Sequence, residues 1–456
     1  MSADDLLPHL RAIVGDQHVL TGGLVAGYDR DWTGRWRGWP RAVVRPGSTG
    51  EVRAVVLACA AAGVPVVPQG GNTGLVGAAA PADGEVVLST LRLRAVDPPD
   101  PAGGTIESGA GATLASVQET ARASGLELGV DLASRGTATI GGVVATNAGG
   151  ARVVRHGTTR TQVLGLEAVL ADGSVVTRMN GLPKDNTGYD LVQLLVGSEG
   201  TLGVVTRVVL RLAPRPPARA AALLALDDVP SAVGVVRGLR AVPGLDAVEF
   251  YTAAGHELVA GAGRARPAFA AAAPVYVLAE AVGADADEVT EALAAAVDEA
   301  VGLQDAALAT GESDRARLWA MRESHTEVLA RLEPVKLDIA VPLPVLAEFL
   351  DRLDDVVAAT APGVTPVPFG HLAEGNVHVN LPGARPFDEA GAVTEAVLTL
   401  VAELGGSISA EHGIGRAKRR WLHLGRSAAD IAAMRAIKGA LDPAGVLSPG
   451  RVLPDA

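Results

Sequence analysis

The sequence predicts an α+β protein of two or three domains, and three observations support this prediction. The first half, to about residue 212, consists of short strand-like runs separated by glycine-rich loops, with a few helices between them. After a proline-rich spacer, alanine-rich helical stretches alternate with strand-like runs such as 274–279 and 336–341. From Gly405 the pattern changes again, through a glycine-rich loop into a basic helical segment that ends near Leu441.

Local signals justify these elements in chain order. A helix is expected to begin at Ser48 or Thr49 and to stop at Gly63, with a strand at 64–67 after it. Asp172-Gly173 separates strand-like runs at 163–170 and 174–177, which predicts a hairpin with a tight turn. The stiff spacer 213–219 contains three prolines and is the best domain boundary.

Composition excludes several classes of protein. Hydrophobic residues make up 48% of the 456 residues, and 39 Lys+Arg against 51 Asp+Glu give a net charge of −12, which disfavours nucleic-acid binding. The basic-aromatic stretch 30–39 is a short candidate for such binding, but packing at a domain edge is the preferred interpretation. The single cysteine, Cys59, cannot form an internal disulfide and fits a reducing compartment.

The start of the chain and its longest apolar run favour a soluble, cytoplasmic protein. The first five residues are acidic rather than basic, unlike a signal peptide. The apolar run 267–284 is interrupted by Pro274 and Glu280, which argues against a membrane span.

Four glycine-rich segments lie at 68–77, 139–150, 197–203 and 411–415. Glycine lets successive backbone N–H groups turn toward an anion, so a loop of this kind after a strand offers a pyrophosphate site. Each loop alone is more often an ordinary tight hairpin, but several together weaken that alternative. No G-x-G-x-x-G follows a strand and no P-loop is present, so a dinucleotide would bind through a different architecture.

The motifs at 70–77, 146–150, 184–191 and 197–203 resemble FAD-binding proteins of the vanillyl-alcohol oxidase superfamily. Within it, they are most similar to the D-2-hydroxyglutarate and D-lactate dehydrogenase branch, from about residue 30 to the C-terminus. The resemblance implies a PCMH-type FAD-binding domain of two α/β subdomains at 1–215. It also implies a substrate domain at 216–404, with an antiparallel sheet covered by helices, and a helical segment at 405–456 that completes the active site.

The resemblance also implies non-covalent FAD, because the first loop contains neither His nor Cys. His156, just past the second loop, is interpreted as a structural histidine rather than a flavin link. The residues expected to surround FAD lie in three segments: Pro68, Gly70, Gly71, Asn72, Thr73, Gly74 and Gly77; Ser134, Thr139, Gly141, Gly142, Thr146, Asn147, Gly149 and Gly150; Glu199, Gly200, Val204 and Val205.

His371 and His378, followed later by Glu411, form a candidate metal site. Two imidazoles and a carboxylate are typical of a catalytic divalent metal, although two loop histidines with structural hydrogen bonds are the alternative. The resemblance favours the metal, with Zn²⁺ expected and Mn²⁺ as the other candidate. The family pattern is His-x-Gly-Asp-Gly-Asn-x-His followed by Glu-His, and this chain departs from it at Ala373 and Glu374. Glu374 is a further candidate ligand.

Arg322 and Thr326 are four residues apart and would share a helix face, and Lys336 follows in a strand-like run. A guanidinium matches a carboxylate and an ammonium suits a second anionic group, although solvated surface cations are the alternative. The resemblance implies that Arg322, Thr326, Lys336 and Asn380 bind the carboxylates of the substrate.

The resemblance implies oxidation of a D-2-hydroxy acid, D-2-hydroxyglutarate in preference to D-lactate, by hydride transfer from C2 to flavin N5. A metal at His371, His378 and Glu411 would lower the pKa of the substrate hydroxyl, and His412 would remove its proton. The expected electron acceptor is an electron-transfer flavoprotein or a quinone, and a homodimer is possible. Two other classes stay open: a metal-dependent hydrolase with structural glycine loops, and a flavoprotein without turnover.

Overall fold

The computed structural model describes residues 5–384 and 391–454, and the chain divides into two compact units. Unit 1 comprises residues 1–149, 157–215 and 411–456, and unit 2 comprises residues 150–156 and 216–410. The boundary after Arg215 lies inside the proline-rich spacer. The C-terminal segment returns to unit 1 at Glu411, whereas the sequence predicted a return at 405, and a short segment after Gly149 belongs to unit 2. The first four residues, part of the acidic start, lie outside the described residues.

The strands of the described chain are β1 (Val19–Leu20), β2 (Ala42–Val44), β3 (Val66–Gln69), β4 (Val86–Ser89), β5 (Thr105–Gly109), β6 (Leu126–Leu128), β7 (Val163–Val169), β8 (Val175–Arg178), β9 (Val204–Pro214), β10 (Ala218–Leu226), β11 (Leu245–Thr252), β12 (Val275–Gly283), β13 (Leu303–Ala309), β14 (Val335–Ala340), β15 (Val367–His371) and β16 (Asn376–Leu381).

The α-helices of the described chain are α1 (Leu6–Val14), α2 (Thr49–Ala61), α3 (Leu114–Ala123), α4 (Ile140–Thr146), α5 (Val153–His156), α6 (Thr159–Gln162), α7 (Leu191–Leu195), α8 (Val229–Leu239), α9 (Ala253–Gly261), α10 (Ala286–Asp298), α11 (Glu312–Ala330), α12 (Leu346–Thr360), α13 (Ala392–Glu403), α14 (Leu422–Gly425) and α15 (Ala428–Leu441). None of these helices is both long enough and apolar enough to cross a membrane.

The first sheet of unit 1 has the order β1-β2-β4-β3, in which β1 is antiparallel to β2 and the other pairs are parallel. Helix α2 packs on this sheet. It begins where predicted, because the Ser48 hydroxyl caps the helix by accepting the Glu51 N–H at 3.2 Å. The helix ends two residues before Gly63, which adopts a φ of +65°. Its apolar face, including Val52 and the buried Cys59, enters the core of this sheet.

The second sheet of unit 1 is antiparallel, with the order β5-β9-β7-β8 and with β6 paired to β9. The predicted hairpin is confirmed: β7 and β8 are joined at Asp172-Gly173, where the Asp172 carboxylate accepts the Ser174 N–H at 2.8 Å. Gly173 supplies the φ of +79° that this tight turn requires.

Unit 2 is built on a seven-stranded antiparallel sheet with the order β13-β10-β12-β11-β15-β16-β14. Helices α9 and α11 pack on one face through a core that includes Tyr251, Tyr276 and Phe369. Together with the two sheets of unit 1, this sheet and its helices confirm the α+β class.

Candidate active site

One face of the unit 2 sheet carries a row of polar side chains. Strand register places Glu249 opposite His371, and it places Asp338 opposite His378. Because side chains alternate along a strand, the residues at 249, 369, 371, 376, 378, 380, 336 and 338 all project from this face. Antiparallel pairing therefore brings together residues from four separate stretches of the sequence.

His371 and His378, called here the imidazole pair, lie on the hairpin of β15 and β16. Their ring centroids are 5.2 Å apart and the ring planes are nearly perpendicular, at 84°. Nδ1 of His371 lies 2.6 Å from a Glu249 carboxylate oxygen, and Nδ1 of His378 lies 3.4 Å from a carboxylate oxygen of Asp338. A carboxylate behind Nδ1 is the usual arrangement for a metal-binding histidine, because it orients the ring for coordination through Nε2. The donor set thus fits a divalent metal.

Asp338 is fully buried and organises the backbone next to the imidazole pair. Its carboxylate accepts the Asn376 side-chain N–H at 2.9 Å and the Ala410 backbone N–H at 3.1 Å. Ala410 is the last residue of unit 2, and Glu411 follows it in the chain. Asp338 therefore fixes the point from which the chain continues to the predicted ligand Glu411 and the predicted base His412.

Glu249 connects His371 with Arg322, the predicted substrate-binding arginine. One Arg322 guanidinium nitrogen lies 2.6 Å from the second Glu249 carboxylate oxygen, and the guanidinium stacks on the Phe369 ring at 4.6 Å. Burial by itself would raise the pKa of Glu249, but the charges of His371 and Arg322 outweigh burial and hold that pKa below its usual value. Glu249 is therefore ionised at neutral pH.

The other predicted substrate residues occupy different positions around this face. Thr326 is exposed on α11, one turn beyond the buried Arg322. Lys336 is half-buried on β14, where the register places it opposite Asn380 on β16. Asn380 is buried and donates its side-chain N–H to the His378 carbonyl at 3.1 Å. Lys336 and Asn380 are brought together with the imidazole pair, and Thr326 is the most exposed of the four.

Glu374 ends the short loop that joins His371 to β16. With Arg155 and Arg240 it lines an open cleft of about 590 Å³, and Arg240 donates to the Ala373 carbonyl at 2.6 Å. Burial raises the pKa of Glu374 to about 7, against the charge of His371. The Ala373 departure from the family motif thus leaves the loop tied down through its backbone.

In unit 1, three glycine-rich segments, 68–77, 134–149 and 197–203, converge to form what we call the glycine cradle, and the predicted FAD residue Gly150 belongs to unit 2. A Cβ on Gly70 would lie 2.1 Å from the Thr139 hydroxyl, and one on Gly71 would lie 1.8 Å from the Thr137 carbonyl. A Cβ on Gly200 would lie 3.2 Å from Pro68, so the third segment meets the first. The backbones approach one another this closely only because these positions are glycine.

The buried Thr139 hydroxyl has no hydrogen-bond partner within the described chain, which fits a site for a polar ligand at the cradle. Asn72 and Asn147 adopt left-handed backbone conformations that shape the first two segments. Val204 and Val205 begin β9 with side chains in two different hydrophobic cores of unit 1, which leaves their backbone for contact with a cofactor. The remaining predicted FAD residues, Thr73, Gly74, Gly77, Ser134, Gly141, Gly142, Thr146 and Gly149, all lie in the first two segments.

Glu199 at the third segment binds the loop that follows Glu411 and His412. Its buried carboxylate accepts the N–H groups of Ile414 at 2.8 Å and Gly415 at 2.9 Å. Burial raises the pKa of Glu199 to about 7, although these two N–H donors oppose the shift. Glu199 was predicted to contact FAD, and in the structure its side chain anchors the loop of the predicted base.

His156 and Trp36 of the basic-aromatic stretch 30–39 both lie in packed surroundings. His156 has only 9% of its side chain exposed, and its Nε2 lies 3.9 Å from Asp246, as expected for a structural histidine. In the basic-aromatic stretch, Trp36 packs against Gly77 and lies under the Arg416 guanidinium at 4.9 Å. Trp36 is therefore part of the packing of unit 1.

Comparison with known proteins now identifies the family. Residues 40–178 match an FAD binding domain, and residues 215–452 match the C-terminal domain of FAD linked oxidases. The chain belongs to the FAD-linked oxidase family. As an FAD-linked oxidase it is an enzyme with an FAD binding domain, so a hydrolase with merely structural glycine loops is excluded. Fifteen of the nineteen residues predicted to surround FAD lie within residues 40–178, and the other four, at 199–205, lie outside that match.

Relatives of this FAD-linked oxidase are similar over almost the whole chain. A D-2-hydroxyglutarate dehydrogenase from Xanthomonas citri pv. viticola is 42% identical over 93% of this chain and 92% of its own length. The mitochondrial D-2-hydroxyglutarate dehydrogenase of Bos taurus is 37% identical over 93% of this chain and 79% of its own length. The solved structure of p-cresol methylhydroxylase covers 99% of this chain and 97% of its own chain with a TM-score of 0.80 at 17% identity, and it supports the fold.

Sequence reasoning missed Glu249 and the role of Asp338. Both are acidic residues inside strands that are otherwise largely apolar, at 245–252 and 335–340. A buried carboxylate requires partners, so an acidic residue in such a strand is itself a signal of a polar site. The pairing that supplies the partners depends on strand register, which the sequence alone does not provide.

Proposed function

We propose that this FAD-linked oxidase oxidises D-2-hydroxyglutarate to the corresponding 2-oxo acid, with FAD as the immediate electron acceptor and a divalent metal, Zn²⁺ or Mn²⁺, as a second cofactor. The observation that carries the proposal is the polar face of the unit 2 sheet, where a carboxylate-backed imidazole pair lies beside Arg322 and Lys336. The names of the 42% and 37% identical relatives agree with it.

The cofactors are assigned to residues whose surroundings fit them. The glycine cradle would hold non-covalent FAD, which accepts the hydride when bound, and the Thr139 hydroxyl is a buried polar group available there. His371, His378 and Glu411 would hold the metal, which when bound supplies Lewis acidity to the substrate hydroxyl.

The remaining chemistry belongs to side chains of the chain itself. His412 is proposed to accept the proton of the substrate hydroxyl at an imidazole nitrogen, since an imidazole has an unperturbed pKa near neutrality. Arg322 is proposed to bind the C1 carboxylate through its planar fork of donors. Its stacking on Phe369 and its ion pair with Glu249 restrict the guanidinium before the substrate arrives.

Lys336 and Asn380 are the basis for preferring a dicarboxylate to D-lactate. The register places them side by side on the polar face, so an ammonium and an amide are available for a second carboxylate. D-lactate has only one carboxylate and offers Lys336 no second carboxylate to bind. Replacing Lys336 by Met should therefore raise KM for D-2-hydroxyglutarate and leave the kinetics with D-lactate nearly unchanged.

An anaerobic titration of the purified, FAD-loaded protein tests the proposal. D-2-hydroxyglutarate should bleach the flavin absorbance, L-2-hydroxyglutarate is the stereochemical control, and D-lactate and D-malate compare substrate size. Removing the metal with a chelator should abolish bleaching while FAD stays bound. A protein that no D-2-hydroxy acid bleaches would be a flavoprotein without this activity, and full bleaching by chelated protein would remove the metal from the proposal.

An electron-transfer flavoprotein or a quinone is the proposed acceptor of electrons from the reduced flavin. Reoxidation of substrate-reduced enzyme by a soluble quinone analogue, compared with reoxidation by oxygen, tests this proposal. Reoxidation by oxygen alone, at a rate that matches turnover, would contradict it.

A further inference from the structure

We infer that Glu249 is a positioning residue that sets both the metal-binding orientation of His371 and the substrate-binding orientation of Arg322. This inference rests on the proposed function for the roles of those two residues. The position of Glu249 between them is a property of unit 2 alone. Glu249 touches neither substrate nor cofactor in this inference, and it acts through its two neighbours.

The geometry gives each carboxylate oxygen of Glu249 its own partner. One oxygen lies 2.6 Å from Nδ1 of His371, and the other lies 2.6 Å from a guanidinium nitrogen of Arg322. Only 1% of the Glu249 side chain is exposed, so bulk water does not compete with either partner. With Nδ1 of His371 held against this carboxylate oxygen, Nε2 is the ring nitrogen left to bind a metal.

The same contact removes freedom from Arg322. Its guanidinium is held between the Glu249 carboxylate and the Phe369 ring, and only 9% of the side chain is exposed. Phe369 in turn lies 5.3 Å from His378, so the ring that supports Arg322 also contacts the imidazole pair. A change at Glu249 should therefore affect both metal binding and substrate binding. A change at His371 should affect mainly the first, and a change at Arg322 mainly the second.

Asp338 behind His378 makes a different set of contacts. Its distance to Nδ1 of His378 is 3.4 Å, and its oxygens also accept N–H groups of Asn376 and Ala410. The orientation of His378 is thus supported by a carboxylate that also binds two N–H groups, whereas the two oxygens of Glu249 lie against His371 and Arg322. A substitution at Glu249 is therefore easier to interpret than one at Asp338.

Glu249→Gln is the test variant, because the amide keeps an oxygen that can accept from His371 and presents N–H donors to Arg322. Glu280→Gln is the matched control. Glu280 lies on the adjacent strand β12 of the same sheet, is buried, and pairs with Arg219 at 2.9 Å and with Trp319 of α11 at 2.9 Å. Both variants remove a buried negative charge that faces α11, but only Glu249→Gln removes a charge that lies next to the imidazole pair.

The first readout is metal binding without catalysis. Metal-stripped, FAD-loaded protein is titrated with Co²⁺, and its visible absorption reports the Kd. Glu249→Gln should raise the Kd by roughly 10- to 100-fold, the range typical for loss of a carboxylate behind a metal-binding histidine. Glu280→Gln should change it by less than about threefold, since the imidazole pair keeps both of its carboxylates. Glu249→Asp keeps the charge but is one methylene shorter, so its Kd should lie between these values.

The second readout is the separation of KM from kcat with D-2-hydroxyglutarate at saturating metal. Glu249→Gln should raise KM, because Arg322 loses its fixed orientation, and excess metal should restore kcat but not KM. Equal Kd values for Glu249→Gln and the parent, equal losses in the Glu249 and Glu280 variants, or a parent protein that binds no Co²⁺ would each overturn the inference. A parent that binds Co²⁺ but oxidises no 2-hydroxy acid would instead contradict the proposed function alone.

Discussion

Removing one partner of the buried ion pair between Arg451 and Glu85 should cost unit 1 a large share of its stability. Arg451 is 1% exposed and Glu85 is 4% exposed, and their side chains make a two-pronged contact with distances of 2.5 Å and 2.7 Å. The same guanidinium donates to the Ala80 carbonyl at 2.7 Å and to the Pro449 carbonyl at 2.6 Å. The pair therefore ties the last residues of the chain to the loop before β4.

Replacing Arg451 by Met leaves the Glu85 carboxylate as a buried charge without its ion-pair partner, although it still accepts the Ala82 N–H at 2.6 Å. Removing one partner of a buried pair costs about 3–5 kcal/mol. For a domain of roughly 150–250 residues, 1 kcal/mol corresponds to about 2–4 °C in Tm, so Tm should fall by roughly 6–20 °C. The double variant with Glu85→Gln should lose less than the sum of the single losses, because no charge is then left without its partner.

Urea denaturation of the FAD-loaded protein, followed by flavin fluorescence and far-UV circular dichroism, measures these differences. Arg352→Met is the control, since Arg352 and Glu403 form an ion pair of similar length, 2.6 Å, with side chains 41% and 54% exposed. An exposed pair should contribute only about 0–1 kcal/mol. A loss below about 1 kcal/mol for Arg451→Met, or a loss equal to that of the control, would refute the reasoning from burial.

Three further changes have expected outcomes. Gly71→Ala should lower FAD occupancy by on the order of tens of per cent, because its Cβ would lie 1.8 Å from a backbone carbonyl. The ratio of absorbance at 450 nm to that at 280 nm measures this occupancy, and the control Gly50→Ala in α2 should leave it unchanged. Burial raises the pKa of Glu199 from 4.5 to about 7, so the native state binds this proton more tightly than the unfolded state does. The free energy of unfolding should therefore fall by roughly 3 kcal/mol as the pH rises from 4.5 to 7, and Glu199→Gln should flatten this dependence in melting curves recorded across that pH range. Asp246→Asn should lower the free energy of unfolding of unit 2, measured in urea, by about 3 kcal/mol. The Asp246 carboxylate is only 1% exposed and is the shared partner of Arg152, Arg155 and Arg219. A loss under about 0.5 kcal/mol would contradict this expectation.

The elements best predicted from the sequence are those with local causes. The start of α2 follows from the Ser48 cap, and the β7–β8 hairpin follows from Asp172-Gly173, both of which act within a few residues. The return of the chain to unit 1 was expected at 405 and occurs at Glu411. Residues 405–410 stay with unit 2 because Ser407 pairs with Ala340 and Ala410 donates to Asp338, which are contacts across about 70 residues of sequence.

The site shows the same division between local and distant causes. The imidazole pair is separated by a short hairpin, so its proximity could be expected from the spacing of His371 and His378. Glu249 lies 122 residues before His371 in the sequence, and only the pairing of β11 with β15 makes them neighbours. A buried acidic residue indicates that polar partners are needed, but the register of the strands determines which residues those partners are.

The strands of the unit 2 sheet hold the loop between His371 and His378, where this chain departs at Ala373 and Glu374 from the motif that the resemblance implies. The loop between the two imidazoles is fixed at both ends by pairing, with His371 opposite Asn376, and Gly375 takes the left-handed turn with a φ of +66°. A Cβ at Gly375 would lie 2.0 Å from the Val341 carbonyl, so this glycine, unlike the one replaced by Ala373, has no substitute. The imidazole geometry thus depends on Gly375 and on the strands beneath the loop, and an alanine or a longer acid within the loop leaves both in place.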